Sequence, residues 1–293
     1  MDFRLTDDQQ ALRKGVRELL ERRFDRDALR AAAETPGRLD RALWRELGAA
    51  GFFALRVPEA DGGVGLGLPE AVLAFEEAGR ALLPGPLVAT HLAAGEVAGA
   101  AEGEVVVTAP DGPLVEWLDA ADVVRGDVGG ARPVRSVDPL TPLHRLPGTA
   151  GAAGEGRLTA ALLTAAEQLG SAARTTETAV AYARTREQFG RPIGAFQAVK
   201  HLCAGMLVRT EVARAAVYAA AVTGDPVEIA GAKLLADEAA VDCARDCLQV
   251  HGGMGFTWES DVHLHLKRAW VRARRWMPRA VAEEAEAAHL SPW

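Results

Sequence analysis

The sequence predicts a mainly α-helical chain in three parts: an N-terminal helical domain, a reduced β or irregular middle segment, and a C-terminal antiparallel four-helix bundle. Three observations carry this. Apolar residues recur at helical spacing through the first third of the chain, short β-branched runs bounded by Gly, Pro and Asp follow, and four long alanine-rich helical patterns with short separations fill the rest. The divisions fall at residues 1–101, 102–156 and 157–293.

The first helix is expected over Thr6 to Phe24, with Leu12, Val16, Leu19 and Leu20 on one face, and Thr6 capping ahead of Asp7 and Asp8. A second runs from Asp40 to Ala50 and stops at Gly51, followed by the glycine-rich loop PEADGGVGLGL. Pro69 to Leu83 reads as a third helix, ended by Pro84-Gly85-Pro86, and Leu87 to Ala100 as a fourth. In the middle segment, EVVVT (Glu104 to Thr108) and DVVR (Asp122 to Arg125) read as short strands, and Ala131 to Gly156 as loop. The bundle helices are expected over Leu158 to Arg184, Phe196 to Thr223, Pro226 to His251, and Ser260 to about His289.

Composition narrows the function classes. Of 293 residues 49% are hydrophobic and 25% charged, enough apolar material for a sizeable core. The net charge of -7 argues against general nucleic-acid binding, which needs a basic surface to displace phosphate counterions. The opening MDFRLTDDQQALRKGV is too polar for a secretory signal, and no apolar run reaches the roughly 18 residues of a membrane span, so a cytoplasmic protein is expected. Cys203, Cys243 and Cys247 are too few for a disulfide framework; Cys243 and Cys247 sit one helical turn apart and read as core, since no other Cys or His stands at ligand spacing.

Two motifs could carry chemistry. RTREQFGRPIGAFQAVKH, Arg184 to His201, breaks a helical region with arginines, a glycine and a proline. Such a corner presents backbone N–H groups and guanidinium groups to an anion, and Arg186, Gln188 and Phe189 would offer charge, hydrogen bonds and a stacking surface to a nucleotide. An ordinary helix–loop–helix corner with solvated arginines is the alternative. The second motif, CLQVHGGMGF (Cys247 to Phe256), closes a helix on Gln249 and His251 and continues with glycines that let a ligand approach the backbone, although Gly-Gly is also a common helix end.

Together these motifs resemble the acyl-CoA dehydrogenase family, through R-x-Q-F-G-x-P-I-x-x-F-Q-x-x-K-H at Arg186 to His201 and Q-x-x-G-G-x-G-F-T-x-E at Gln249 to Glu259. The opening MDFRLTDDQQALR, Leu43-Trp44, VPEADGGVGLG and EEAGR (Glu76 to Arg80) resemble its helical first domain, and WESDVHLHLKRA (Trp258 to Ala269) is similar to the actinobacterial branch that handles sterol side chains and other bulky acyl-CoA esters. The resemblance implies an FAD-dependent oxidoreductase of β-oxidation type acting in lipid or steroid catabolism on an acyl-CoA substrate, with an electron-transfer flavoprotein as acceptor. It assigns Arg186, Gln188, Phe189, Gln197, Gln249, Gly252 and Gly253 to FAD contacts made across a subunit interface.

The sequence also departs from the family. The space for the middle β barrel is short and lacks its T-E-P-x-x-G-S-D type segment. Family members place the glutamate that removes the α proton in one of two positions, which here hold Trp276 and Ala160. Glu167 is the nearest acid on the first bundle helix, with an exposed helix-face role as the plain alternative; Glu259 and Asp261 read as caps for the next helix. His263 and His265 diverge too far for a two-His metal site, and Arg272, Arg274, Arg275 and Arg279 read as a solvated or interface face, or else as a contact to CoA phosphates. The expectation is a short subunit without the catalytic base, paired with a longer acyl-CoA dehydrogenase subunit in a heterotetramer, a dimer of heterodimers. A self-sufficient homomer with a relocated base such as Glu167, and a non-redox scaffold or acyl-CoA binding module, are the alternatives.

Overall fold

The structure is a computed structural model that describes residues 4–150 and 156–290; the first residues of the opening motif and part of the expected 131–156 loop lie outside the described residues. Helix α1 (Asp7–Arg23) starts at a capping box: the Gln9 amide donates to Thr6 Oγ1 at 3.2 Å and the Thr6 amide to Gln9 Oε1 at 3.1 Å. Helix α2 (Arg26–Glu34), absent from the sequence expectation, follows at once, because Asp25 accepts from the Ala28 amide at 3.0 Å and starts a new helix. Asp40 likewise caps α3 (Arg41–Ala49). Helix α4 (Leu68–Ala81) matches its expected span, but α5 (Leu87–Ala93) stops short of Ala100, since Gly95 and Gly99 weaken the following turns.

The middle segment is more ordered than expected. Strand β1 (Val107–Thr108) pairs in parallel with β3 (Val123–Val124), while β2 (Pro110–Glu116), β4 (Arg132–Val134) and β5 (Leu143–Ala150) form an antiparallel sheet in the order β2-β5-β4. The 131–156 stretch is therefore not simply loop. Buried Asp138 holds its turn, accepting from the Leu140 amide at 3.0 Å and the Thr141 hydroxyl at 2.6 Å.

Helices α6 (Arg157–Thr185), α7 (Gln197–Thr223) and α8 (Pro226–His251) run up, down and up. Between α6 and α7 lies a small hairpin of β6 (Glu187–Gln188) and β7 (Arg191–Pro192). The expected fourth bundle helix is two helices, α9 (Val262–Arg272) and α10 (Arg279–Leu290). Pro278 cannot donate a helical hydrogen bond and biases the residue before it away from helix, and Trp276 takes a left-handed φ of 60° in the break.

Helix α6 is buried over most of its length, which its small residues permit. It crosses α4 so closely that a Cβ on Gly170 would enter the Glu76 carbonyl oxygen, and one on Gly79 the Glu167 carbonyl oxygen. The same turn of α4 is tied to α7, where Glu76 pairs with Arg214 and accepts from Tyr218 Oη at 2.6 Å. Gly170→Ala is expected to destabilise the chain by about 3 kcal/mol or more, because the obstacle is backbone. Gly15→Ala, at a helix-interior position with nothing within 4 Å of a new Cβ, should stabilise by about 0.5–1 kcal/mol. Urea midpoints at constant slope check both.

Candidate functional site

The up-down-up path brings the C-terminal ends of α6 and α8 and the N-terminal end of α7 to one end of the bundle. There the Tyr182 and His251 rings stack with centroids 4.1 Å apart, and His251 Nδ1 lies 2.8 Å from the Cys247 carbonyl oxygen. This contact joins the hairpin after α6 to the glycine turn after α8. All seven sequence-predicted site residues lie on this end.

Arg186 is the extended C-cap of α6, exposed, with no side-chain partner among the described residues. The two central residues of the hairpin, Phe189 and Gly190, both have positive φ, 53° and 77°, as a two-residue type I′ turn requires. Phe189 is 92% exposed at that tip, an apolar ring in a backbone region that disfavours it. Gln188 Nε2 donates to the Glu187 carbonyl at 2.8 Å, and exposed Gln197 is the first residue of α7, beside the unpaired amides and positive dipole end of a 27-residue helix. Gln249 is exposed in the last turn of α8, and its carbonyl accepts from the Gly252 amide. Gly252 has φ 60° and ψ -141°, and a Cβ at Gly252 or Gly253 would meet nothing within 4 Å. The turn is an open backbone cradle rimmed by Met254, 57% exposed, and Phe256, 71% exposed.

Helix α2, which the sequence reading missed, fixes the far side of this turn. Arg26 donates to the Glu259 carbonyl at 2.7 Å and to Asp261 at 2.5 Å, and Arg30 reaches Asp261 at 3.4 Å while lying over the Trp258 ring. Asp261 stands at the N-cap position of α9 without making a side-chain cap bond, and exposed Glu259 caps nothing: their expected capping role is replaced by this clamp.

The two positions that the resemblance marks for a proton-abstracting carboxylate lie elsewhere, at the other half of α6. Ala160 is fully buried; Trp276 is buried and donates its amide to the Asp111 carboxylate. The cavity beside Trp276 is about 20 Å³, room for one water, between Glu167, Glu116 and three arginines. Glu167 is not on an exposed face: it is buried and paired with Arg272. Burial pushes its carboxyl up to about 7, against the pull of Arg272 and Arg268, and burial likewise pushes Arg272 down to about 10. Arg272 and Arg275 are thus interior rather than solvated. Arg275 stands 3.5 Å from Asp111 and 3.8 Å from Glu116, Arg274 is exposed, and Arg279 is exposed with Glu283. Arg268 pairs with Asp138 and donates to the carbonyls of Leu83 and Leu140 at 3.1 and 3.2 Å. His265 meets Ser171 Oγ at 2.8 Å, His263 stacks on Trp258, and Cys243 and Cys247 are core residues as expected. No signal in the sequence marks these arginines as buried; their acidic partners come from distant segments.

Residues 6–102 match the acyl-CoA dehydrogenase N-terminal domain family, and residues 155–276 the acyl-CoA dehydrogenase C-terminal domain family. Acyl-CoA dehydrogenase IpdE2 of Mycobacterium tuberculosis is 38% identical over 301 aligned positions, covering 90% of this chain and 91% of that protein. Acyl-CoA dehydrogenase FadE34 of the same organism is 35% identical over 333 positions, covering 90% of this chain but 45% of FadE34. Among solved structures, the ChsE4-ChsE5 complex from Mycobacterium tuberculosis superposes with a TM-score of 0.86 at 24% identity, covering 100% of both chains. Butyryl-CoA dehydrogenase from Megasphaera elsdenii superposes with a TM-score of 0.83 at 22% identity, covering 99% of this chain and 100% of that one. With both terminal domains matched and a relative this similar along nearly its whole length, the chain belongs to the acyl-CoA dehydrogenase family.

Proposed function

We propose that this chain is the subunit of a heteromeric, FAD-dependent acyl-CoA dehydrogenase that lacks the catalytic base and completes, from its bundle end, the FAD site of a longer partner. The observation that carries the reading is the lack of space for a reaction: the two base positions are buried Trp276 and Ala160, and the cavity beside Trp276 has room for about one water between ion pairs. A thioester and a mobile carboxylate have no room there. Against Glu167 as a relocated base stands its engagement with Arg272 in the same closed space.

The bundle end suits the other half of the task. FAD, when bound, supplies the two-electron oxidant for desaturation between the α and β carbons of an acyl-CoA thioester. Arg186 has an uncommitted guanidinium for a diphosphate, the start of α7 offers amides beside Gln197, Gln249 offers an amide side chain, and the Gly252–Gly253 backbone is open to close approach. Phe189 would pack on the partner or on the dinucleotide rather than remain in water. The partner would bring the β barrel, the glutamate and most of the acyl pocket, in a dimer of heterodimers with half as many flavins as chains. Support comes from FadE34, whose remaining length exceeds the part that aligns with this chain, and from the two-component names of the ChsE4-ChsE5 complex and of the Tcur3481-Tcur3483 steroid acyl-CoA dehydrogenase, which covers 97% of this chain with a TM-score of 0.83. A steroid or similarly bulky acyl-CoA is the substrate class proposed, with an electron-transfer flavoprotein as acceptor.

Co-expression with a longer homologue should give a yellow complex with one FAD per pair of unlike chains, whereas this chain alone should be colourless. A pure homomer with stoichiometric FAD and desaturase turnover would sink the proposal. In the complex, Arg186→Gln should weaken FAD retention about tenfold while leaving assembly unchanged, read by flavin release against gel filtration. Glu167→Gln should leave turnover within about twofold; abolished turnover with normal flavin content would instead identify it as the base. The same variant has a pH signature. The folded-state pKa of Glu167 is raised, so the native state holds its proton between pH 4.5 and about 7 while the unfolded state has released it. Stability therefore falls as pH rises through that window and levels off above it, by on the order of 3 kcal/mol for this group. Denaturation at several pH values should show wild type losing ground to Glu167→Gln across that range.

A further inference from the structure

We infer that a groove between the N-terminal helices and the bundle is a second ligand site, one that takes an amphiphilic organic anion of medium chain length, its head group between Arg174 and His265. The groove encloses about 820 Å³, within the range of small-molecule sites, and lies between α1 and α2 on one side, α4 beneath, and the C-terminal half of α6 with the start of α9 opposite. It is separate from the closed cavity at Trp276, sharing none of its lining residues, and it touches the bundle-end motifs only at Arg186 and the residues next to the glycine turn. The inference stands independently of the function proposed above.

One pole of the groove is positive. Arg174 is exposed along the groove wall and has no hydrogen-bond or ion-pair partner among the described residues. Facing the same space is His265, 7% exposed, with Nδ1 engaged by Ser171 Oγ at 2.8 Å and Nε2 left without a protein partner among the described residues. Burial, and then the charges of Arg174, Arg268, Arg80 and Arg272, push this imidazole down to about 3. Of the four arginines that act on it, Arg80, Arg268 and Arg272 are paired with carboxylates while Arg174 is not, so Arg174 is left to attract an arriving anion and the neutral ring can present Nε2 to it.

The acids that also line the groove do not cancel this pole. Glu77 is held by Arg17 through two bonds of 2.8 and 2.6 Å, Asp261 is held by Arg26 and Arg30, and Asp25 caps α2; Glu21 and Glu259 are exposed. Away from the pole Leu20, Phe24 and Leu29 from the N-terminal helices, Ala81 from α4 and Val262 from α9 supply apolar wall among polar and charged rim residues such as Arg26 and Arg186. Along α6, Thr178 and Tyr182 follow Arg174 at successive turns, a run of about 12 Å at 1.5 Å per residue. That length and the apolar walls fit an alkyl chain of decanoate size, and a guanidinium is suited to a carboxylate or a phosphate ester at its head.

Calorimetric titration of the full chain with decanoate, decyl phosphate and decanol tests the assignment. Expected is saturable one-to-one binding of at least one of the two anions, weakened about tenfold by Arg174→Gln, with decanol at least tenfold weaker than that anion, and a shift of the His265 ring resonances at saturation. Thr178→Trp should abolish binding by filling the groove while leaving the melting profile cooperative. The head group is read directly: decanoate tighter identifies a carboxylate, decyl phosphate tighter a phosphate ester, each with the same loss in Arg174→Gln. Failure of both anions to bind wild type, equal binding of decanol, or affinity unchanged in Arg174→Gln would each overturn the inference.

Discussion

Helices α4 and α6 meet through glycines, Gly79 on one and Gly170 on the other, and this backbone-to-backbone crossing sets the position of everything that α6 carries. No side chain separates the two helices at that point, so α6 cannot rotate or slide there without driving a peptide group into its neighbour. Upstream of the crossing α6 holds Ala160 and Glu167 against the segment around Trp276; downstream it aims Arg174 into the groove and delivers Arg186 to the hairpin. One contact thus registers the closed pocket, the groove and the open bundle end on a single rigid element. Glu76, in the same turn of α4, extends the registration to α7 through Arg214 and Tyr218.

The charges around Glu167 make physical sense as a filling for a volume rather than as a source of stability. Burying ions costs several kcal/mol each, and their attraction offsets that cost only when geometry and hydrogen bonding are good. Arg268 meets the condition, with a carboxylate and two carbonyls from separate segments. Arg275 does not: its guanidinium makes no hydrogen bond among the described residues. Well-packed apolar residues often fill such a space at equal or lower cost, so these ion pairs are weak evidence for stability. What the ion pairs do achieve is connection, since Arg268, Arg272 and Arg275 tie α9 and its C-terminal loop to the middle segment and to α6 at three separate points. The short middle segment, with its small sheet, is held to the bundle by these bonds.

Much of this was legible in the sequence where the determinant is local. Thr6 announces its helix because a capping oxygen needs only its own next turn, and the structure shows the same local signal at Asp40 before α3 and Asp225 before α8. The break between α6 and α7 could be placed because Gly190 admits a left-handed backbone and Pro192 cannot continue a helix, whereas the β6–β7 hairpin inside it was not foreseen. Helix α2 escaped because it follows α1 after a two-residue break and is too short to show periodicity of its own; the Asp25 cap was the available signal. Strands β2 and β5 escaped because Pro-Asp-Gly and Pro-Gly within them read as turns, whereas pairing between segments far apart in sequence holds them extended. The burial of Glu167, Arg268, Arg272 and Arg275 was unreadable for the same reason: a charged residue is interior only if a partner arrives, and these partners come from distant segments, as with Arg268 and Asp138, 130 positions apart. Resemblance located the bundle-end residues, but it could not foresee that α2 clamps the segment beside them.

Phe189 concentrates the remaining physical question. A phenylalanine in the left-handed region costs roughly 1 kcal/mol or more, and leaving its ring in water forgoes a further 1.5–3 kcal/mol of burial. Among the described residues the one ring contact is an edge-on approach to Phe196 at 6.0 Å, worth about 0.5–1.5 kcal/mol, which offsets these terms only in part. Glycine or asparagine would make the same two-residue turn with less strain. This strain and exposure are what the proposed cover, a partner chain or the dinucleotide, would relieve at the tip. Met254 and Phe256 stand exposed across the same bundle end, around a backbone left bare by Gly252 and Gly253, so the cover must reach both motifs at once. A surface that is apolar at its rim and rich in unpaired donors at its centre suits the dinucleotide and second chain proposed above better than it suits solvent.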